Sequence, residues 1–455
     1  MASTAAPTPH RPGTPSSLRN PFEQPPNPFA TPGMSRPASF FGSSSAINQF
    51  NERSQRYFHS RRIRGEVEKP WLSKKDPKEK WVTILPILGI LVGLGISGFL
   101  VWDGIRSVVK HNYCLVLEDD FSSGFNKDVW NYEIELGGFG NKQFEMTSDS
   151  TDNIFVDGEG NLNIRVTLQD ERRVETNNET INLLESGKCT SDVWENCVIA
   201  TNTTAGNSSI INPVVSGRIN TKGTRSIKYG RVEVTAQLPE GDWLWPAIWL
   251  MPEKDTYGVW PLSGEIDIME SRGNNYTYEQ GGNNIVSSAL HWGPNSANDA
   301  WWRTNNKFRA LHTTYSSGFN TFGLEWSEKY LFTYVNSRLL QVTYVNFDDR
   351  ESMWERGNFP SATSNGTFLR DPWSKTGRSN TPFDQRFYLI LNVAVGGRNG
   401  WFEDSKSGKP WLDSSDNAPK DFWRARGQWL PTWTQPQMKV NKVAMWQQCN
   451  GDEEL

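Results

Sequence analysis

An all-β sandwich, preceded by a disordered tail and one membrane-spanning helix, is the fold class this sequence predicts. Three observations predict it. Beyond about residue 114 the apolar residues fall into short β-branched or aromatic runs, several alternating with period 2, divided by Gly, Asn, Pro and Asp clusters. No convincing helical stripe of about 12 residues or more occurs in that region. Far upstream, Val82–Trp102 is a run of 21 positions without a charge. With 455 residues, 36% hydrophobic and 22% charged, the chain is too long for one small domain and too polar for a multi-span membrane protein.

Taken in chain order, residues 1–80 come first. The first 50 positions hold 10 of the 26 prolines and 8 serines with no periodic apolar run, so this tail cannot bury enough surface to offset its ordering entropy. Residues 81–102 follow, bracketed by Trp81 and Trp102. At about 1.5 Å per residue they span a hydrocarbon core of about 30 Å, with a tryptophan at each interface. A cleaved signal peptide would sit at the extreme N-terminus, so this segment is expected to remain as a signal anchor.

Orientation follows from the flanks. Arg61, Arg62, Arg64, Lys69, Lys74, Lys75, Lys78 and Lys80 precede the span, against Arg106 and Lys110 just after it. The basic side stays in the cytosol, which makes this a type II protein of the secretory pathway or plasma membrane with a lumenal or extracellular body. Residues 103–113 read as a linker and 114–449 as the body.

Two features agree with that topology. Cys114, Cys189, Cys197 and Cys449 all follow the span, in what is then an oxidising compartment. Four cysteines permit three pairings, and Cys189–Cys197 with Cys114–Cys449 is favoured, one closing a local loop and the other the two ends of the body. The sequons at Asn178, Asn202, Asn207, Asn275 and Asn365 also all follow the span.

Charge bears on partners. Residues 1–80 carry 13 Lys/Arg against 6 Asp/Glu, and the remainder 34 against 45. An acidic body argues against a nucleic-acid partner. With only 5 His and 4 Cys, a zinc-finger or multi-His metal enzyme is disfavoured, while 21 Trp suit either a β core or flat apolar ligands such as sugar rings.

Within the body, strands are expected at Phe155–Val166, Gly230–Gln237, Phe322–Trp326, Tyr330–Val335, Phe387–Val395 and Val440–Trp446. The chemistry concentrates in Gly264-Glu265-Ile266-Asp267-Ile268-Met269-Glu270-Ser271. In a strand, Glu265 and Asp267 share one face and Glu270 falls on the other. A β-bulge near Met269 restores the parity, so that Glu270 rejoins them. Two carboxyl groups about 5–5.5 Å apart across a glycosidic bond are what a retaining glycosidase uses. Crowded like charges push one pKa upward and keep a proton for the leaving group. A solvated acidic strand edge or a calcium site is the alternative for such a triplet.

The surrounding sequence narrows the choice. The stretch GDWLWPAIWLMPEKDTYGVWPLSGEIDIMESRGN, LHWGP at Leu290–Pro294 and FDQRFYLILNVAVGGRNGWF at Phe383–Phe402 resemble glycoside hydrolase family 16 of the laminarinase type. So do the opening LEDDF, the GRINTKG run at Gly217–Gly223 and the KYGRVEVTAQLP strand, and together the likeness covers Cys114–Cys449. The resemblance implies a concanavalin A-like β-sandwich (jelly roll) with a carbohydrate-binding cleft, and β-1,3-glucan as the partner. It implies Glu265 as nucleophile, Asp267 as assisting carboxylate and Glu270 as general acid/base. Trp260 matches a sugar-stacking tryptophan, and His291 a cleft-floor histidine. Trp245 is placed toward the cleft, Trp292 joins the substrate contacts, and Asn141 and Arg218 match polar sugar contacts. One departure concerns metal: the family's C-terminal strand often carries an aspartate that helps hold a structural calcium, and here that position is Asn441. Loss of that charge weakens a structural calcium without excluding it, and no metal site or cofactor is assigned.

Three functions remain open on these residues. The first is endo-acting hydrolysis of β-1,3-glucan. The second is transglycosylation that remodels cell-wall glucan through the same glycosyl-enzyme intermediate. The third is recognition without cleavage, for which relatives typically lose one or both glutamates that this chain keeps.

Overall fold

The computed structural model describes residues 64–107, 111–202, 209–347, 351–363 and 365–449. Most of the tail expected to be disordered, residues 1–63, and the sequon at Asn207 lie outside the described residues. After a 3-10 turn at Pro70–Leu72, an α-helix runs from Glu79 to Ser107. It thus takes in Glu79 and Lys80 and extends past Trp102. This helix is long and apolar enough to cross a membrane, and none of its described side chains is buried.

The body places its strands in two large antiparallel sheets because alternate residues of each strand are apolar and need a common interior. One sheet has the spatial order Gln341–Asn346, Tyr330–Val335, Asn320–Trp326, Gly230–Gln237, Gln437–Cys449, Leu162–Arg165, Ile154–Val156, with Asn112–Asp119 also paired to Gln437–Cys449. The other has the order Asn306–Arg309, Ile285–His291, Glu265–Ser271, Leu244–Pro252, Phe387–Val395, Arg218–Asn220, Asn131–Tyr132, with Ser226–Ile227 also along Phe387–Val395. Val232, Val234, Leu324, Trp326, Val440 and Met445 from the first sheet share one core with Ile248, Leu250, Ile266, Leu290, Leu389 and Leu391 from the second. Helices of the described body are short, the longest being Ala418–Arg424.

The expected strand Phe155–Val166 is instead a hairpin, Ile154–Val156 paired with Leu162–Arg165. Asp157 makes the turn, its Oδ1 accepting the backbone N–H groups of Glu159 and Asn161 at 3.1 and 3.0 Å. Cys114 and Cys449 are bonded across neighbouring terminal strands, and Cys189 is bonded to Cys197. The latter bridge lies beside the hairpin Thr180–Asn182/Val198–Ala200, over a small second core that includes Ile134, Val174, Ile211 and Trp423.

Candidate active site

Strand parity builds the site. Leu244–Pro252 turns Leu244, Ile248 and Leu250 into the core and Trp245, Ala247 and Trp249 to the opposite face of the sheet, where Trp245 is itself only 6% exposed among buried apolar side chains. Its neighbour Glu265–Ser271 pairs Asp267 with Trp249 and Glu270 with Ala247. Three steps on one strand thus match two on the other, and the same irregularity recurs against Ile285–His291, where Asp267 faces Ala289 and Glu270 faces Ser287. The extra residue lies at Ile268–Met269, both buried in the core. Glu265, Asp267 and Glu270 therefore share one face of the strand, opposite Ile266 and Ile268–Met269.

Each glutamate has its own indole donor. Trp260 Nε1 donates to Glu265 Oε2 at 2.6 Å, and Trp245 Nε1 donates to Glu270 Oε1 at 3.0 Å. Asp267, only 3% exposed, has its Oδ2 3.3 Å from His291 Nε2. His291 pairs with Glu265 across the strands, and its Nδ1 meets Asp299 Oδ2 at 2.5 Å.

Burial dominates the electrostatics. It pushes Asp267 well above the usual carboxylate range, and the charges of Glu265 and Glu270 add to this while His291 opposes it. Burial likewise raises Glu270, with Glu265 adding and His291, the Trp245 N–H and Arg272 opposing. For His291, burial disfavours the imidazolium, but Glu265, Asp267 and Asp299 outweigh it and raise the group well above its ordinary value. The cluster is thus a pair of glutamates on one face, one of them with its pKa raised, with the Asp267–His291 pair beside them.

The other sequence-predicted residues divide. Trp260 is 38% exposed, with its ring 5.8 Å from His291. Arg218 pairs with Asn392 and ion-pairs with Glu133, its guanidinium 3.8 Å from the Phe139 ring and 4.8 Å from the Trp249 ring. Asn141 is half-buried, and its backbone O accepts from Arg398 N at 2.9 Å beside Gly397, a close neighbour of Trp245. Trp292 is not a cleft residue. It is 0% exposed, donates to Thr304 Oγ1 at 3.3 Å and packs against Phe359 and Trp373, because the alternation that puts His291 on the cleft face puts its neighbour in the core. The four described sequon asparagines, Asn178, Asn202, Asn275 and Asn365, are exposed.

Sequence reasoning missed three residues. Asp299 orients His291 from a 3-10 turn after the strand. Trp401 stacks on Trp245 with centroids 4.8 Å apart. Trp301, 43% exposed, stacks on His291 at 6.2 Å.

Two places bear on metal. Glu265, Asp267 and His291 offer ligand atoms within 4.8 Å of one another. Asn441 donates its amide to Asn161 Oδ1 at 3.0 Å while Lys442 pairs with Glu118 at 2.5 Å. Asn441 thus brings no carboxylate to that position, which weakens a calcium site there.

A family model described as glycosyl hydrolases family 16 matches residues 188–379. The chain is 36% identical over 344 residues to a beta-1,3-glucan-binding protein of Penaeus monodon, covering 73% of this chain and 88% of that protein. It is 28% identical over 343 residues to Gram-negative bacteria-binding protein 1 of Drosophila melanogaster, where it spans 72% of this chain and 63% of the relative. A glucan endo-1,3-beta-glucosidase of Cryptopygus antarcticus is 29% identical over 283 residues, covering 62% of this chain and 79% of that protein. The all-β sandwich and the matched segment define the class as a family 16 fold. The chain belongs to glycosyl hydrolases family 16.

Proposed function

We propose that this chain hydrolyses internal β-1,3-glucosidic bonds of β-glucans by retaining double displacement. One observation carries the proposal: the bulge at Ile268–Met269 sets Glu265 and Glu270 on one face, with Glu270 biased toward its acid form. Glu265 attacks the anomeric carbon and forms a glycosyl-enzyme as Glu270 gives its proton to the departing sugar oxygen. Glu270 then takes a proton from water, whose oxygen displaces Glu265. Asp267, tied to His291, supports the charge of Glu265, and Trp260, Trp245, His291, Arg218 and Asn141 hold the glucan.

The body, residues 114–449, carries this chemistry in the lumen or outside the cell. It follows a cytosolic tail of residues 1–80, a signal anchor of residues 81–102 and a linker of residues 103–113, and it bears glycans at the five sequons. The apolar helix Glu79–Ser107 and the two disulfides support that layout.

A second reading, glucan recognition without cleavage, is favoured by the likeness to the beta-1,3-glucan-binding protein of Penaeus monodon. The presence of Glu265, Asp267 and Glu270 together weighs against it. Incubation with laminarin oligosaccharides followed by sizing of the products decides: shorter products mean hydrolysis, longer ones transglycosylation, and unchanged oligosaccharide means recognition.

A further inference from the structure

Trp260 lies in the connection of residues 253–264, which contains neither helix nor strand. The aim of its indole N–H at Glu265 therefore depends on what holds that connection. Part of the answer is internal: Ser263 Oγ accepts from Tyr257 N at 3.0 Å and donates to Gly258 O at 2.7 Å. The rest comes mostly from one segment distant in sequence. Trp373 Nε1 donates to Leu262 O at 2.9 Å, Gln385 Nε2 to Ser263 O at 2.9 Å, and Glu253 N to Arg386 O at 2.8 Å. Finally, Tyr257 OH donates to Asp384 Oδ1 at 2.7 Å.

Of these four ties only the last involves a charged acceptor. Asp384 is 5% exposed, and its Oδ2 takes Thr381 Oγ1 at 3.1 Å and Arg378 Nη1 at 3.5 Å. Charge-assisted bonds are shorter and stronger than neutral ones, and a buried acceptor that loses its donor has no water to replace it. Asp384 belongs to the Phe383–Phe402 stretch that resembles the family, yet the reaction proposed above uses none of its side chains up to Arg386.

We infer that Asp384, acting through Tyr257, is a positioning residue for the Trp260–Glu265 pair. It touches no reacting atom. It fixes the Tyr257 part of the connection so that the indole N–H meets Glu265. This deepens the glycosidase reading and rests on it.

The test is a double-mutant cycle on the full-length chain, with Asp384→Asn and Tyr257→Phe each made in the native and the Trp260→Phe backgrounds. Turnover of laminarihexaose and its dissociation constant are both measured. With Trp260 present, each variant should lower kcat/KM about tenfold to a hundredfold, as expected for a misaimed catalytic constellation. In the Trp260→Phe background the loss should shrink to about twofold or less, since contributions routed through one residue do not add. Equal losses in both backgrounds, or no loss with Trp260 present, overturn the inference. Should Asp384→Asn fail to fold, the Tyr257→Phe arm, which keeps the carboxylate with Thr381 and Arg378, decides by the same rule. If the native chain turns nothing over, the glycosidase reading fails separately. The cycle is then read on the dissociation constant, where weakening confined to the Trp260 background supports the positioning role and equal weakening overturns it.

Discussion

His291 Nε2 stands 3.3 Å from Asp267 Oδ2, and this contact places the one imidazole of the cleft against the most deeply buried of its three carboxyls. Because His291 also lowers the pKa of Glu270 against the pull of burial, its removal should let that acid hold its proton to higher pH. In His291→Gln the alkaline limb of the kcat/KM profile should move upward, with turnover down about tenfold or more. A limb that stays or moves down would show that the imidazole does not act on the acid.

The same cluster affects stability, with a definite sign. Asp267 and His291 both have folded pKa values above their unfolded ones. Each therefore contributes most at low pH and loses that contribution as pH rises from the unfolded value through the raised folded one. The native body should weaken as pH rises above the ordinary carboxylate range more steeply than Asp267→Asn, which removes the buried charge and its grip on His291. At pH 8 the variant should melt about 1–3 °C higher. A lower Tm for Asp267→Asn at pH 8 would refute the assignment of Asp267 as a destabilising buried acid.

The two disulfides should differ in worth. Cys114–Cys449 joins residues 335 apart and Cys189–Cys197 residues 8 apart. In the chain-entropy model the long closure contributes about 6 kcal/mol and the short one about 2–3 kcal/mol. Replacing Cys114 and Cys449 by Ser should therefore lower the unfolding free energy about twice as much as replacing Cys189 and Cys197. Denaturant titration of both variants checks this, and equal losses would show that loop length does not set the difference.

The legible part of the site was local. Glu265, Asp267 and Glu270 clash with strict period 2, so their spacing raised a bulge near Met269 as the condition for one shared face, and the strand register has it at Ile268–Met269. Trp292 was equally readable and was misassigned: next to the cleft-facing His291, alternation requires it to point inward. Phe155–Val166 failed for a similar reason, since Asp157 and Gly160 inside an apolar run are turn residues. Trp401 and Asp384 were not legible. Each acts on a residue more than a hundred positions away, Trp401 on Trp245 and Asp384 on Tyr257, and only the fold brings them together.

Topology is testable without any assay of activity. If Lys/Arg bias orients the span, residues 1–80 face the cytosol and the sequon asparagines, four of them exposed in the body, face the lumen. Protease added to sealed microsomes should remove the tail and spare a glycosylated body. Digestion of the body with protection of the tail would reverse the orientation.

The mechanism makes the sharpest demand on the two glutamates, because their shared face leaves them different tasks. Glu265→Ala removes the attacking oxygen, so turnover of a β-1,3-glucan should fall by about a thousandfold or more. Added azide can then enter the vacated space and attack from the same side, giving a glycosyl azide of inverted configuration. Glu270→Ala leaves the nucleophile in place, so an activated aryl glycoside, whose leaving group needs no proton, should still form the glycosyl-enzyme while the natural glucan does not. For this variant azide acts in the second step and the azide product keeps its configuration. The two variants thus predict opposite stereochemistry from one added nucleophile. Proton NMR of the first sugar released by the native chain gives the independent check, since double displacement must yield the β-anomer before mutarotation. An initial α-anomer would mean that water, not Glu265, attacks the sugar, and the bulge at Ile268–Met269 would then need a different explanation.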